Sequence, residues 1–176
     1  MRKIVYTVGY GGRSLGEFID LIKGYGIKLV VDIRRWNKSV RVPEFSGNNL
    51  RLALGKLGLR YEWMPALGGY RRFGVDVEDR GIATCFKSSG FRAYATYITT
   101  RDEVKSVLEE LVALLLGSPS AIMCKERVPW LCHRKILSDY LLARGFRVFH
   151  VIDREKVLEH KLSECAVIEG GELKYI

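Results

Sequence analysis

Five short runs of apolar, β-branched and aromatic residues recur along this chain, and each ends in glycine, proline or a charged cluster. They are "KIVYTVG" from residue 3, "IKLVVDI" from 27, "LRYEWMP" from 59, "SAIMC" from 120 and "RVFHVI" from 147. Runs of this length without polar alternation read as strands buried on both faces. The segments between them carry helical spacing. Ser14 and Glu17 form a capping box ahead of Leu15, Phe18, Ile19 and Ile22, and Gly24 and Gly26 end that helix. "NNLRLALGKLG" reads as a helix capped by Asn48 or Asn49, "FRAYATYI" as another, and "TRDE" at 100–103 as a second capping box opening "VKSVLEELVALLL". "LCHRKILSDYLLARG" is a helix ended by Gly145, with Cys132 to Arg134 in its first turn, and "CAVIEGGELKYI" is a terminal hairpin about Gly170 and Gly171. Strands alternating with helices predict an α/β fold. Its parallel sheet of about five strands is sandwiched by helices in a Rossmann-like way, with a C-terminal hairpin, and residues 1–176 form one domain. Residues 66–90, rich in Gly and Arg, are the longest irregular stretch.

Charge narrows the partners. The chain holds 29 Lys and Arg against 20 Asp and Glu, a formal +9, which suits nucleic acid or a phosphate-bearing small molecule. No apolar stretch approaches the roughly 18 residues of a membrane span, so no membrane partner is expected. No signal-peptide pattern follows "MRKIVYTVGY", which points to the cytoplasm. In that compartment Cys85, Cys124, Cys132 and Cys165 are expected to be free thiols, ligands or catalysts, with bonded pairs the exception known from hyperthermophiles.

Ligands of such sheets bind beyond the carboxyl ends of the strands. Read to those ends, the first strand delivers Gly9, Tyr10, Gly11, Gly12 and Arg13, the second delivers Asp32, Arg34, Arg35 and Trp36, and the fifth delivers Asp153. The third leads to Gly68, Gly69, Arg71 and Arg72. The fourth leads to Cys124, Glu126 and Arg127 and then to Cys132, His133 and Arg134. Thiols, carboxylates and guanidinium groups thus collect on one rim. His150 lies within a strand and reads as a packed histidine; His160 reads as surface.

Known motifs fit only in part. A dinucleotide fingerprint wants G-x-G-x-x-G, and "GYGGRS" has Ser14 in the third place, although Asp32 ends the next strand as a ribose-binding acid would. Neither Cys124 nor Cys132 is followed by Arg at the spacing of a phosphatase cradle. The cysteines also lack the paired short spacings of a zinc site. No cofactor is identified by these residues, and no metal is assigned.

Taken in order, "YTVGYGGRSLGEFIDLI", "VVDIRRW", "PEFS", "YEWMPALGG" and "CKERVPWLCHRKILSDYLLARG" resemble the family known as domain of unknown function 488. The matching residues are Thr7 to Gly12, Asp32 and Arg34, Pro65 to Gly69, and Cys124, Glu126, Cys132, His133 and Arg134. Lys125 stands where members often carry a small residue. The resemblance implies an α/β fold and a shared site, and no particular reaction.

Three classes of function follow. In the first, an enzyme acts on a nucleotide, nucleic acid or other phosphate-bearing substrate. Arg34, Arg71, Arg72 and Arg134 hold the anion, Asp32 or Glu126 is the acid/base, and Cys124 or Cys132 is the nucleophile. Gly9, Tyr10, Gly11, Gly12, Gly68, Gly69 and His133 complete its binding surface. The second is a non-catalytic nucleic-acid binder using Tyr10, Trp36, Phe45, Tyr70 and Phe73. The third is a metal or iron–sulfur protein using the cysteines.

Overall fold

The computed structural model describes residues 3–176. The five expected strands are present as β1 (Lys3–Gly9), β2 (Leu29–Asp32), β3 (Arg60–Trp63), β4 (Ser120–Cys124) and β5 (Phe146–Val151). All are parallel, in the order β3-β2-β4-β1-β5. A further strand, β6 (Val157–Glu159), closes the outer edge antiparallel to β5. Its three exposed residues are too few to show a period, which is why the sequence did not reveal it. The C-terminal hairpin pairs β7 (Ala166–Glu169) with β8 (Glu172–Tyr175) about Gly170 and Gly171, both at positive φ.

Two apolar layers sandwich the sheet, and strand parity decides what each contains. Val8, Val30, Ala121 and Met123 face α1 (Leu15–Gly24) and α2 (Gly47–Gly55), meeting Phe18, Leu21, Leu50 and Leu54. Val5, Leu29, Val31, Ile122 and Val148 face the other side. There they meet α3 (Ser89–Thr100), α4 (Asp102–Gly117), α5 (Arg134–Ala143) and the hairpin.

The Ser14–Glu17 capping box forms as read, with both reciprocal bonds at 3.1 Å. Three other starts differ. α2 begins after Ser46, whose hydroxyl contacts Ser39 N and O instead of a helix amide, so neither Asn48 nor Asn49 is the cap. The expected box at 100–103 is absent because α3 runs through Thr100, whose hydroxyl donates to Thr96 O at 2.6 Å. Cys132 is extended (φ −134°, ψ 147°) and precedes α5, which starts at Arg134 after His133.

The cysteines also depart from the free-thiol expectation, since all four are paired. Cys85 bonds Cys165 across 80 residues and fastens the irregular segment 66–90 to the hairpin. By loop-closure entropy such a link contributes roughly 4 kcal/mol. Cys124 pairs with Cys132 at the sheet rim. Among the described residues, no helix is long and apolar enough to cross a membrane.

Candidate functional site

The loop after β1 leaves toward α1 on one face, and the loop after β4 leaves toward α5 on the other. β1 and β4 are neighbours, with Gly9 beside Cys124. Adjacent strands whose connections part in this way open a crevice at their carboxyl ends, the topological switch point of an α/β sheet. A hollow of about 760 Å³ lies there, large enough for a nucleotide-sized ligand. Tyr10, Gly11, Gly12, Cys124, Lys125 and Glu126 contribute from the two strand ends. The 34–42 loop, Gly69, Tyr70, Cys132 and His133 supply the remaining polar wall.

The rim residues named from sequence divide into groups with different tasks. Asp32 and Arg34 are a buried clamp. The Asp32 carboxylate accepts Arg34 N–H at 3.0 Å, Arg34 Nε at 2.9 Å and Arg34 Nη2 at 2.7 Å, and also the Tyr61 hydroxyl. Arg34 also donates from Nη1 to Tyr10 Oη at 3.2 Å and from Nη2 to Phe45 O at 2.8 Å. Burial opposes the Arg34 charge, but Asp32 overrides it and raises the pKa above the ordinary arginine value. Buried beside Asp32, the Tyr61 phenol is likewise pushed up.

Parity places this clamp on the α1/α2 face, because Asp32 pairs with Met123 and not with Cys124. Cys124 projects to the α3–α5 face. Asp32 is fully buried and does not line the hollow.

Arg71 is a second clamp, donating to the carbonyls of Pro65, Ala66 and Gly68 and pairing with Asp76. Arg72 is exposed and lies outside the lining of the hollow.

Gly9 and Gly68 serve backbone packing. A Cβ on Gly9 would overlap the Glu126 carbonyl, and one on Gly68 would overlap the backbone of Arg35. Gly11 N donates to Lys125 O at 2.8 Å, tying the two rim loops together. Only Gly12, at φ 71°, needs its glycine for backbone conformation within this turn. A Gly9→Ala chain is expected to lose about 1–3 kcal/mol, read as a melting temperature roughly 3–10 °C lower. An unchanged melt would show that the two loops are not locked.

The thiol side of the hollow is built around Arg134, which is fully buried. Its Nη1 donates to Cys124 Sγ at 2.8 Å and also to Glu126 O, and its Nη2 donates to Arg127 O at 3.1 Å. Burial pushes its pKa down to about 10, against the attraction of Glu126, so it remains a cation at neutral pH. The Arg134 amide reaches Cys132 Sγ at 3.4 Å.

His133 Nε2 is 3.0 Å from Ile33 O, an acceptor only, so Nε2 carries the hydrogen. Burial, with Arg134 and Arg71 nearby, lowers its pKa to about 4. The ring is therefore neutral, and its Nδ1, 3.6 Å from Cys132 Sγ, is the nitrogen able to take a proton. The Glu126 carboxylate lines the hollow with no hydrogen-bond partner among the described residues.

Behind Arg134 runs a buried polar chain that the sequence did not disclose. Arg134 Nε donates to Thr7 Oγ1 at 3.1 Å, and the Thr7 hydroxyl donates to His150 Nδ1 at 2.6 Å. His150 Nε2 donates to His160 Nδ1 at 2.9 Å, and His160 Nε2 donates to Asp139 Oδ1 at 2.8 Å. Tyr175 donates to Asp139 Oδ2 at 2.8 Å. With Asp139 accepting at one end and the guanidinium donating at the other, these directions give each hydroxyl and imidazole between them a donor–acceptor match. His150 is the buried histidine expected, but His160 is not surface: its side chain is only 7% exposed.

Three cations complete the wall: Lys125, which the sequence placed on the rim, and Lys38 and Arg41, which the motif reading missed. All three are exposed, and their side chains form no ion pair or hydrogen bond among the described residues. Their signal was present in the loop "RRWNKSVR" and in Lys125, but unpaired and paired cations look alike in a sequence. Of the interleaved aromatics, Tyr10 and Phe45 stack in the core at 4.5 Å. Trp36 and Tyr70 stay 62% and 73% exposed beside the hollow, with ring centroids 5.9 Å apart. Among the described residues no three His, Cys, Asp or Glu side chains come together as a metal centre requires.

Fold and hollow together define a parallel α/β protein with a ligand-sized crevice at its switch point. Residues 14–141 match the family described as domain of unknown function DUF488, and the chain belongs to that family. No curated protein and no solved structure matches the chain. The matched span takes in Asp32, Arg34 and the whole Cys124–Arg134 segment.

Proposed function

We propose that the chain is an enzyme acting on a nucleotide, nucleic acid or other phosphate-bearing substrate held in the hollow between β1 and β4. The observation that carries this reading is the set of unpaired cations Lys38, Arg41 and Lys125 around one cavity, beside the exposed rings of Trp36 and Tyr70. Cations without partners attract phosphate, and exposed rings offer a base something to stack on. Arg34, Arg71 and Arg134, first candidates for the anion, shape the walls instead, since their donors are engaged within the protein. Acid/base work falls to Glu126, which has no competing partner, and not to Asp32. Of the two rim sulfurs, Cys124 has the Arg134 guanidinium at 2.8 Å and Cys132 has His133 Nδ1 at 3.6 Å, so either is a nucleophile once reduced.

Quenching of tryptophan fluorescence by nucleoside phosphates and by single-stranded oligonucleotides tests the reading. Binding is expected at about 50 mM salt and to weaken as salt rises, with a slope near −0.7 per phosphate engaged for a single strand. Lys38→Ala, Arg41→Ala and Lys125→Ala are each expected to weaken binding roughly tenfold and to flatten that slope. Absence of binding to mononucleotides, DNA, RNA and inorganic phosphate at low salt would remove the reading.

A further inference from the structure

We infer that Cys124 and Cys132 form a reversible two-electron dithiol/disulfide couple that exchanges with low-molecular-weight thiols, an activity independent of any phosphate-bearing ligand. The two sulfurs are paired at the wall of the hollow; both residues line it while only 2% and 3% exposed, so the hollow is the side from which a small thiol would meet them.

Their surroundings differ from those of the other pair. Cys124 Sγ has the Arg134 guanidinium at 2.8 Å, and Cys132 Sγ has the Arg134 amide at 3.4 Å. Cys85 Sγ, apart from its bond to Cys165, accepts among the described residues from the neutral Cys165 amide, at 3.2 Å. A fixed cation at hydrogen-bond distance stabilises a thiolate, and stabilising the thiolate favours the reduced form of the couple. The backbone adds to this effect. Cα atoms of bridged cysteines usually stand about 4.4–6.8 Å apart. Those of Cys85 and Cys165 are 5.5 Å apart and those of Cys124 and Cys132 are 7.6 Å apart.

Arg134 has little freedom to leave its sulfur. Thr7 holds its Nε, and the chain through His150 and His160 to Asp139 holds Thr7. Thr7 and His160 are therefore positioning residues for this charge.

The charge also sets the order of steps. A thiolate RS⁻ attacks Cys132 Sγ, and a bond between R–S and Cys132 forms. The Cys124–Cys132 bond breaks, and its electron pair leaves on Cys124, beside Arg134. A second RS⁻ attacks the sulfur of R, releasing R–S–S–R, and the electron pair of the mixed disulfide returns to Cys132. The protein disulfide is reduced, two thiols are oxidised, and the two thiol protons pass to the solvent and the protein sulfurs. The reverse sequence oxidises the dithiol.

The experiment equilibrates the full chain in reduced and oxidised glutathione, quenches with acid, alkylates, and reads each cysteine pair by mass spectrometry. The expected result is interconversion of Cys124–Cys132 as one two-electron couple while Cys85–Cys165 stays bonded. A Cys124→Ser chain is expected to accumulate glutathione on Cys132. Arg134→Gln should move the equilibrium constant about tenfold toward the disulfide, about 30 mV for two electrons. Thr7→Val should move it less, in the same direction, and serves if Arg134→Gln does not fold.

Opening of both pairs together, only on unfolding, overturns the inference, as does failure of Cys124 and Cys132 to interconvert in any buffer. So does a constant unmoved by a folded variant. Exchange in a chain that binds no phosphate sinks the function proposed above and leaves the couple standing. Phosphate binding without exchange does the reverse.

Discussion

Acidification from pH 6.5 to 4 is expected to strip this fold of several kcal/mol of stability. Two neutral histidines cause the loss. Burial, with help from Arg134 and Arg71, lowers His133 to about 4. Burial, with His160 and Arg134, lowers His150 to about 3. In the unfolded chain both titrate near 6.5. Between these values the unfolded state binds more protons than the native one, so stability rises with pH in that window and falls as pH drops through it. Each histidine contributes a slope of roughly 1.4 kcal/mol per pH unit once the pH is below its unfolded value.

The structural reason is visible at both sites. A proton on His150 Nδ1 would collide with the Thr7 hydroxyl proton and face Arg134 two bonds away along the chain. One on His133 Nδ1 would sit in a wall already holding Arg134 and Arg71. Denaturant midpoints measured from pH 7 to 4 check this, with His133→Gln and His150→Gln each removing about half the slope. A midpoint that stays flat down to pH 4.5 would show that neither imidazole is held neutral.

The strands and the residues at their carboxyl ends were largely readable in advance, because each apolar run ended in glycine, proline or charge, but their order in the sheet was not. Tyr10, Glu126, Cys124 and Lys125 do meet at one hollow. What a linear reading lacked was the face. β2 is buried on both sides, so Val30 and Asp32 carry no contrast with Leu29 and Val31 that would mark one set as inward and the other outward. A shift of one residue along a strand exchanges the two faces. Asp32 and Cys124 therefore end on opposite sides of the sheet although their strands are neighbours.

Arginine misled for a related reason. Arg71 and Arg134 find most of their acceptors in backbone carbonyls of the loops they hold, and no residue type announces such a carbonyl. The bond between Cys85 and Cys165 joins positions 80 residues apart, beyond any local spacing rule. Asp139 was hidden in a helix whose pattern is otherwise ordinary, and only the return of the chain after β6 and of β8 past α5 gives it His160 and Tyr175.

The second large effect follows from the face that Asp32 occupies. Asp32→Ala is expected to destabilise the chain by about 3–5 kcal/mol, the usual penalty for leaving one member of a buried ion pair without the other. Arg34 is only 8% exposed, and without Asp32 its Nε has no acceptor and its Nη2 keeps only Phe45 O. Tyr61 loses its acceptor as well. The consequence reaches the hollow through the chain itself. Arg34 fixes Phe45 and the Tyr10 hydroxyl, and its own carbonyl accepts Trp63 Nε1 at 2.7 Å, so the loop carrying Trp36, Lys38 and Arg41 hangs from this clamp.

Asp32→Asn keeps the shape and one acceptor oxygen but loses the charge and turns an NH2 donor toward the donors of Arg34 or Tyr61, and should lose less than Asp32→Ala, on the order of 2 kcal/mol. If the proposed phosphate-bearing ligand binds in the hollow, both variants should bind it more weakly in proportion to their loss of order, and should still saturate with ligand in excess. An acid/base role predicts the opposite pattern, in which Asp32→Asn melts like the parent and binds like it while any turnover disappears. Thermal midpoints and binding curves for the two variants separate these cases, because a clamp acts on stability and affinity together and a proton carrier acts on neither.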